Sequence, residues 1–264
     1  MRHRTAVSAV VLTLTLALAG CDNDRIAAPA YTAPAIEGSA VARAGAEVVK
    51  GSGDLKATVA EFQALLGEPA NGVTPGQQPS GRREIRWDGV PAELTNNDAL
   101  PADLFNRNGL IYNVVGSGLR VTDNDFSDIN PTYADQFASF SPPKTFAPIG
   151  SEVSEVTFRV AGSSISAAVT GFGVVFSDVD RTGAASLKLF TVDGKSLGQY
   201  HAPVRSDGNG QSFVGVVFDE AIVARVVITS GQAPLGSEEF DVSDGGNRDL
   251  VVFDDLFFGE PKAF

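Results

Sequence analysis

From Val153 onward, apolar and polar residues alternate in segments the length of a β-strand, each stopped by Asp, Gly or Ser. Val156, Phe158 and Val160 interleave with Glu155, Thr157 and Arg159, which predicts a strand with one dry and one wet face. Residues 169–176 are apolar on both faces and contain Gly171 and Gly173. They predict a central strand with a bulge or a close backbone approach. Residues 187–192, the pair Asp193-Gly194 and residues 195–200 predict a hairpin closed by a type I′ turn. Phe213–Phe218 and Val223–Thr229 predict a second antiparallel pair turning at Asp219-Glu220. A long acidic loop over 231–248 precedes a closing strand over 250–258.

Upstream the pattern changes period. Leu55, Val59, Phe62 and Leu66 share one face of a helix over 54–66, with Asp54 placed to cap it and Gly67 to end it. Residues 83–91 predict the first strand and its exit turn, followed by a polar connection to Asn108. Short strands are expected over 110–115 and 119–121, then an acidic loop over 123–131. Residues 137–140 and 145–149 flank Pro142-Pro143 and predict edge pieces, because proline is kept off central ladders. Many short strands with one early helix predict an all-β, antiparallel jelly-roll β-sandwich with one short N-terminal helix.

The N-terminus carries an address. Arg2, His3 and Arg4 precede an apolar run, Ala6 to Leu18, that is short for a membrane span. Leu18-Ala19-Gly20-Cys21 follows and resembles the lipobox of bacterial lipoproteins. That resemblance implies acylation of Cys21, the single cysteine, and attachment to a bacterial membrane. The alternative is an ordinary signal peptide with an incidental cysteine. Asp22 favours inner-membrane retention in enterobacterial lipoproteins, a rule that varies between bacteria and leaves the leaflet open. The expected organisation is a signal over 1–20, an Ala/Gly/Pro-rich tether over 21–53, and a helix-plus-sandwich domain over 54–264. Cleavage removes Arg2 and Arg4 and leaves 18 basic against 32 acidic residues, a charge of −14 with His neutral. Such a chain repels phosphate backbones, so nucleic acid is excluded as a partner, while hard cations are favoured.

Several segments, in order, resemble a family of exported bacterial proteins of unknown biochemistry, many of which end in a PEP-CTERM sorting tail. They are residues 80–91 (SGRREIRWDGVP), 129–133 (INPTY), 171–180 (GFGVVFSDVD), 226–231 (VVITSG) and 251–261 (VVFDDLFFGEP). The likeness implies a sandwich that works outside the cytoplasm, here with a lipobox and no such tail. More loosely, Phe253-Asp254-Asp255-Leu256 is similar to the last strand of galactose-binding-like jelly rolls. In those modules an acidic residue of the last strand meets one of the first strand around a structural calcium ion.

That similarity makes Glu84, Asp88, Asp254 and Asp255 the candidate Ca2+ ligands, with a salt bridge to Arg83 or Arg86, or plain solvent exposure, as the alternatives. Consecutive aspartates on a strand face opposite ways, so one is expected to point inward and to need a charge partner. Asp123, Asp125 and Asp128, among Asn124, Ser127 and Asn130, form a second oxygen-rich loop that can contact a ligand, though it lacks the glycine and glutamate of an EF-hand. Tyr133 is the candidate aromatic platform for a sugar. Catalysis finds little support: His201 is the one histidine after cleavage, and no G-x-S-x-G is present. Zinc lacks Cys and His ligands. The expected function is a lipid-anchored, non-catalytic envelope module binding a glycan or surface polymer. The alternatives are a matrix scaffold without a small ligand and a carboxylate-based polysaccharide hydrolase or lyase.

Overall fold

The structure is a computed structural model that describes residues 45–205 and 210–264. Cys21, the signal over 1–20 and the tether as far as residue 44 lie outside the described residues. In chain order come β1 (Ala46–Ser52), α1 (Lys56–Leu66), β2 (Arg82–Ile85), β3 (Leu110–Asn113) and β4 (Gly118–Thr122). They are followed by β5 (Thr145–Ile149), β6 (Val153–Arg159), β7 (Ser166–Ala168), β8 (Gly171–Ser177) and β9 (Ala185–Phe190). The last are β10 (Ser196–His201), β11 (Gln211–Phe218), β12 (Arg225–Ser230), β13 (Val252–Gly259) and β14 (Lys262–Ala263).

These strands form two antiparallel sheets, a jelly-roll sandwich. The first runs β1-β11-β8-β13-β5-β4, with β2 also on β13; the second runs β10-β9-β12-β6-β7-β14, with β3 also on β6. Alternation places Phe172, Val174, Phe176, Phe253, Leu256 and Phe258 of the first sheet against Val156, Phe158, Leu187, Leu189, Val226 and Ile228 of the second. Trp87 enters from a 3-10 turn and stacks on Phe146 at 4.4 Å between centroids.

The outer face of the first sheet is also covered. Helix α1 lays Val59, Phe62 and Leu66, with Leu55 just before it, on Val175, Phe213 and Phe257. Gly173 and Gly215 are register partners, and a Cβ on either would stand 2.6 or 2.4 Å from the Phe62 ring. The close approach expected at Gly173 is therefore the seat of that ring. Farther along, Phe126, Tyr133, Phe137 and Leu235 pack on Ala147 and Val252.

Several expectations are corrected. The predicted tether runs to Gly53, yet residues 46–52 pair along their whole length with β11. Val48 and Val49 gave too short an apolar signal to betray an edge strand. The helix starts at Lys56, with Asp54 one position before its cap and Asp54 Oδ1 accepting from the Lys56 amide at 3.2 Å. Residues 213–218 and 223–229 belong to different sheets, so Asp219-Glu220 marks a corner between the layers. The 193–194 turn is not type I′: Gly194 has φ 78° and Asp193 does not share the positive region. Thr191 and Lys195 close the ladder, with the Thr191 amide donating to the Lys195 carbonyl at 3.0 Å, a three-residue loop with a left-handed glycine. Residues 145–149 sit between β13 and β4, not at an edge.

Truncating Phe62 to Ala empties the hollow over Gly173 and Gly215, and should cost about 3–5 kcal/mol. Urea unfolding measures it. A loss below about 1 kcal/mol would show that the helix is not anchored there.

Candidate functional site

The aspartate pair of β13 lies in a bulge. Phe253 pairs with Phe176 and Leu256 with Val174, so Asp254 and Asp255 together oppose the single residue Val175. Both flanking side chains enter the core between the sheets, and both carboxyls therefore turn to the outer face, contrary to the expectation that they diverge. Both are fully buried. Asp254 Oδ2 accepts from the Ser141 amide at 3.0 Å and from the Phe140 amide, and Asp255 Oδ1 accepts from Ser141 Oγ at 2.7 Å. Arg86 Nε stands 3.7 Å from Asp255 Oδ2. Burial pushes both acids up from the ordinary carboxylate range, and Asp254 is raised further by the charge of Asp255.

The other two expected calcium ligands are already engaged. Glu84 accepts from Gln63 Nε2 at 2.8 Å, Arg82 Nε at 3.0 Å and Arg86 Nη2 at 3.1 Å. Asp88 Oδ1 accepts from the Lys144 amide at 3.2 Å. Among the described residues, no three or more Asp, Glu, His or Cys side chains are gathered to hold a metal ion. The set is thus bound into the fold by Arg82, Arg86 and amide and hydroxyl donors. Arg83, the other expected partner, turns instead to Glu260, with both contacts at 2.8 Å.

The 123–135 loop is likewise tied to its neighbours. Asp123 Oδ1 accepts from Asn96 Nδ2 at 2.7 Å, and Asp128 pairs with the buried Arg120, which also reaches Asp98 at 2.8 Å. Asp125 holds φ 55° at the turn, and its carboxyl is raised by burial and by Asp135. Tyr133 is not an exposed platform: its ring is fully buried, and its hydroxyl contacts the carbonyls of Gly236 and Glu239 at 3.0 and 2.9 Å. Trp87, Tyr112 and Tyr200 are buried as well. An aromatic beside Asn and Pro reads alike as platform or loop anchor, and here the partner loop 235–239 decides for anchor.

A second buried acidic group lies where the loops after β8 and before β13 meet. Asp178, in a left-handed conformation at φ 67°, and Asp241 and Asp249 are all fully buried, with Asp180 within electrostatic range. Gln136 Nε2 donates to Asp178 Oδ2 at 3.0 Å. Asp241 accepts from the amides of Ser243 and Leu250 at 2.6 and 2.7 Å. Asp249 accepts from those of Asp180 and Arg181 at 3.0 and 2.6 Å. These carboxyls replace missing strand partners where three loops meet. Burial, together with neighbouring carboxylates, raises Asp178 to about 7 and Asp249 to about 6.

The outer face of the second sheet is different. In β6, β9 and β12 the residues between the core positions, Ser186 excepted, are half-buried or exposed on the outer face, and register sets Phe190, Arg225, Thr157 and Ile111 side by side across four strands. The Arg225 guanidinium lies 3.8 Å from the centre of the Phe190 ring, and its Nη1 meets Glu155 Oε2 at 2.6 Å. Lys188 approaches the same ring at 5.6 Å. A shallow cavity of about 200 Å³ opens here, walled by Thr157, Arg159, Thr191, Val192, Arg225 and Phe264.

The raised carboxyls have a measurable consequence. They keep protons in the folded chain that the unfolded chain releases above about pH 4. Their stabilising protonation is complete below that value and is lost as pH rises through about 6 and 7. Urea unfolding in chelator should show stability falling by about 1–3 kcal/mol from pH 5 to pH 8. Asp254→Asn, which keeps the acceptor for Phe140 and Ser141, should flatten part of that slope. A profile that is level or rises with pH would show that these acids are ionised in the folded state.

No family model matches the chain, and no curated protein does. Among solved structures, the enzymatically active domain of tailspike protein 4 from bacteriophage CBA120 is similar over 52% of this chain and 20% of that chain, at 11% identity and a TM-score of 0.19. A likeness of that size supports no inference, and the all-β sandwich rests on the chain's own two antiparallel sheets.

Proposed function

We propose that this chain is a lipid-anchored, extracytoplasmic module of the bacterial envelope that binds a glycan or surface polymer without catalysing a reaction. One contrast carries the reading. The first sheet is packed on both faces over its middle, with a hollow of about 550 Å³ beside its edge strand β1 and the end of α1, whereas the second offers an outer face with a shallow cavity. Asp178, Asp241, Asp249 and the aspartate pair of β13 are buried and held by amide and hydroxyl donors, and none of them lines that cavity. Cys21 and the apolar run before it supply the anchor, in keeping with the strongly acidic, soluble surface of the rest of the chain.

Two measurements test this. Labelled palmitate should enter the wild-type chain and not Cys21→Ala; equal labelling of both removes the anchor. The full chain, solubilised in detergent, should retain at least one polysaccharide class on a glycan array and release no reducing ends from it. A blank array would favour a scaffold, and steady release of reducing ends would mark an enzyme.

A further inference from the structure

We infer that the outer face of the second sheet is the binding surface, and that its ligand is an acidic, carboxylate-bearing polysaccharide; this rests on the envelope-binding reading above. The argument begins with charge. The outward positions of β6, β9 and β12 are Glu155, Thr157 and Arg159; Ser186, Lys188 and Phe190; Arg225, Val227 and Thr229. They carry three cationic side chains against one acid, on a chain whose formal charge is −12. The acid, Glu155, is engaged by Arg225 and by Asn113 Nδ2 at 2.7 Å. The excess of cationic side chains on these three strands favours an anion there, and the exposed Asp193, between the cavity residues Val192 and Gly194, offsets part of it.

Shape and chemistry agree. Arg225 is held over Phe190 and against Glu155, which orients its guanidinium and leaves the side chain 32% exposed. Arg159 is steadied by Ser166 Oγ, to which its Nη1 donates at 3.0 Å. Both arginines line the same cavity, and planar guanidinium groups match carboxylates in two-point contacts. Phe264, 61% exposed, and Val192, 63% exposed, wall it with apolar surface. That combination suits a uronate ring, which has one apolar face, hydroxyls at its rim and a carboxylate. Thr157 supplies a hydroxyl among the lining residues, while that of Thr191 is bonded within its own turn to Asp193 and Lys195. A concave hollow bounded by strands fits a sugar unit better than the flat plane of a bilayer.

The test uses the full chain in detergent, with alginate as the acidic probe, dextran as the neutral one and phosphatidylglycerol vesicles as an anionic membrane. Calorimetry or surface retention should show alginate binding that weakens as salt rises, with dextran and vesicles bound far more weakly. Arg225→Ala and Arg159→Ala should each weaken alginate binding about tenfold or more, as loss of a charge-assisted contact does. Phe264→Ala, at an exposed side chain, should weaken it without altering the melting temperature. Arg181→Ala, on a loop remote in register, should bind as the wild type. Dextran bound as tightly as alginate, with the arginine variants unaffected, would overturn this inference and leave the envelope-binding reading standing. Vesicles bound in place of alginate would overturn it in favour of a membrane face. No retention of any polysaccharide would remove both readings.

Discussion

Strand β13 must be dry on both sides, and this constraint governs the rest of the molecule. It lies between β8 and β5 in the first sheet, with the second sheet on one face and the helix and loops on the other. A strand with regular alternation would send Asp254 or Asp255 into the space between the sheets, at a cost no partner there offsets. The extra residue of the bulge resets the phase, so that Phe253 and Leu256 both face inward. Both acids then meet the 140–141 segment, whose amides and hydroxyl satisfy part of their acceptor capacity. The bulge and that segment are one device: removing either exposes the other's unpaired groups.

The same logic of carboxyls meeting loop backbone recurs at the far end of β13. Arg83 and Glu260 are buried together, and the guanidinium donates onward to the carbonyls of Gly72, Thr74 and Gly76 at 2.9, 2.9 and 3.2 Å. Glu260 in turn accepts from Asn71 Nδ2 and the Gln78 amide at 2.8 and 2.9 Å. A loop rich in Gly, Pro and Gln has no ladder of its own, so this ion pair supplies the partners its backbone lacks.

These devices explain what could be read in the chain alone. The alternation of β6 and β12 and the helical spacing of Leu55, Val59, Phe62 and Leu66 are local patterns, and the structure bears them out. Gly173 announced a close approach but not its occupant, because Phe62 is far away in sequence. Pairing was harder. Residues 213–218 and 223–229 have the apolar rhythm of a hairpin, and only the packing of two layers sends them to different sheets. The site fared least well. An aspartate has the same identity whether it binds an ion, caps a loop or holds a proton, and its partners here are mostly backbone amides, which no sequence motif names.

The open face of the second sheet follows from the closure of the first. Helix, aromatic loops and buried acids are all spent on one side of the sandwich, which leaves β6, β9 and β12 with a dry face inward and a wet face outward. Polar residues alone would keep that wet face soluble, and Glu or Lys on every outward position would do so in the simplest way. The face instead sets Phe190 beneath Arg225 and places Phe264 and Val192 at a cavity rim. Apolar rings among cations lower solubility and contribute little to a core that is already sealed. Their placement has a physical rationale when the face is covered by a ligand that brings negative charge and an apolar surface of its own.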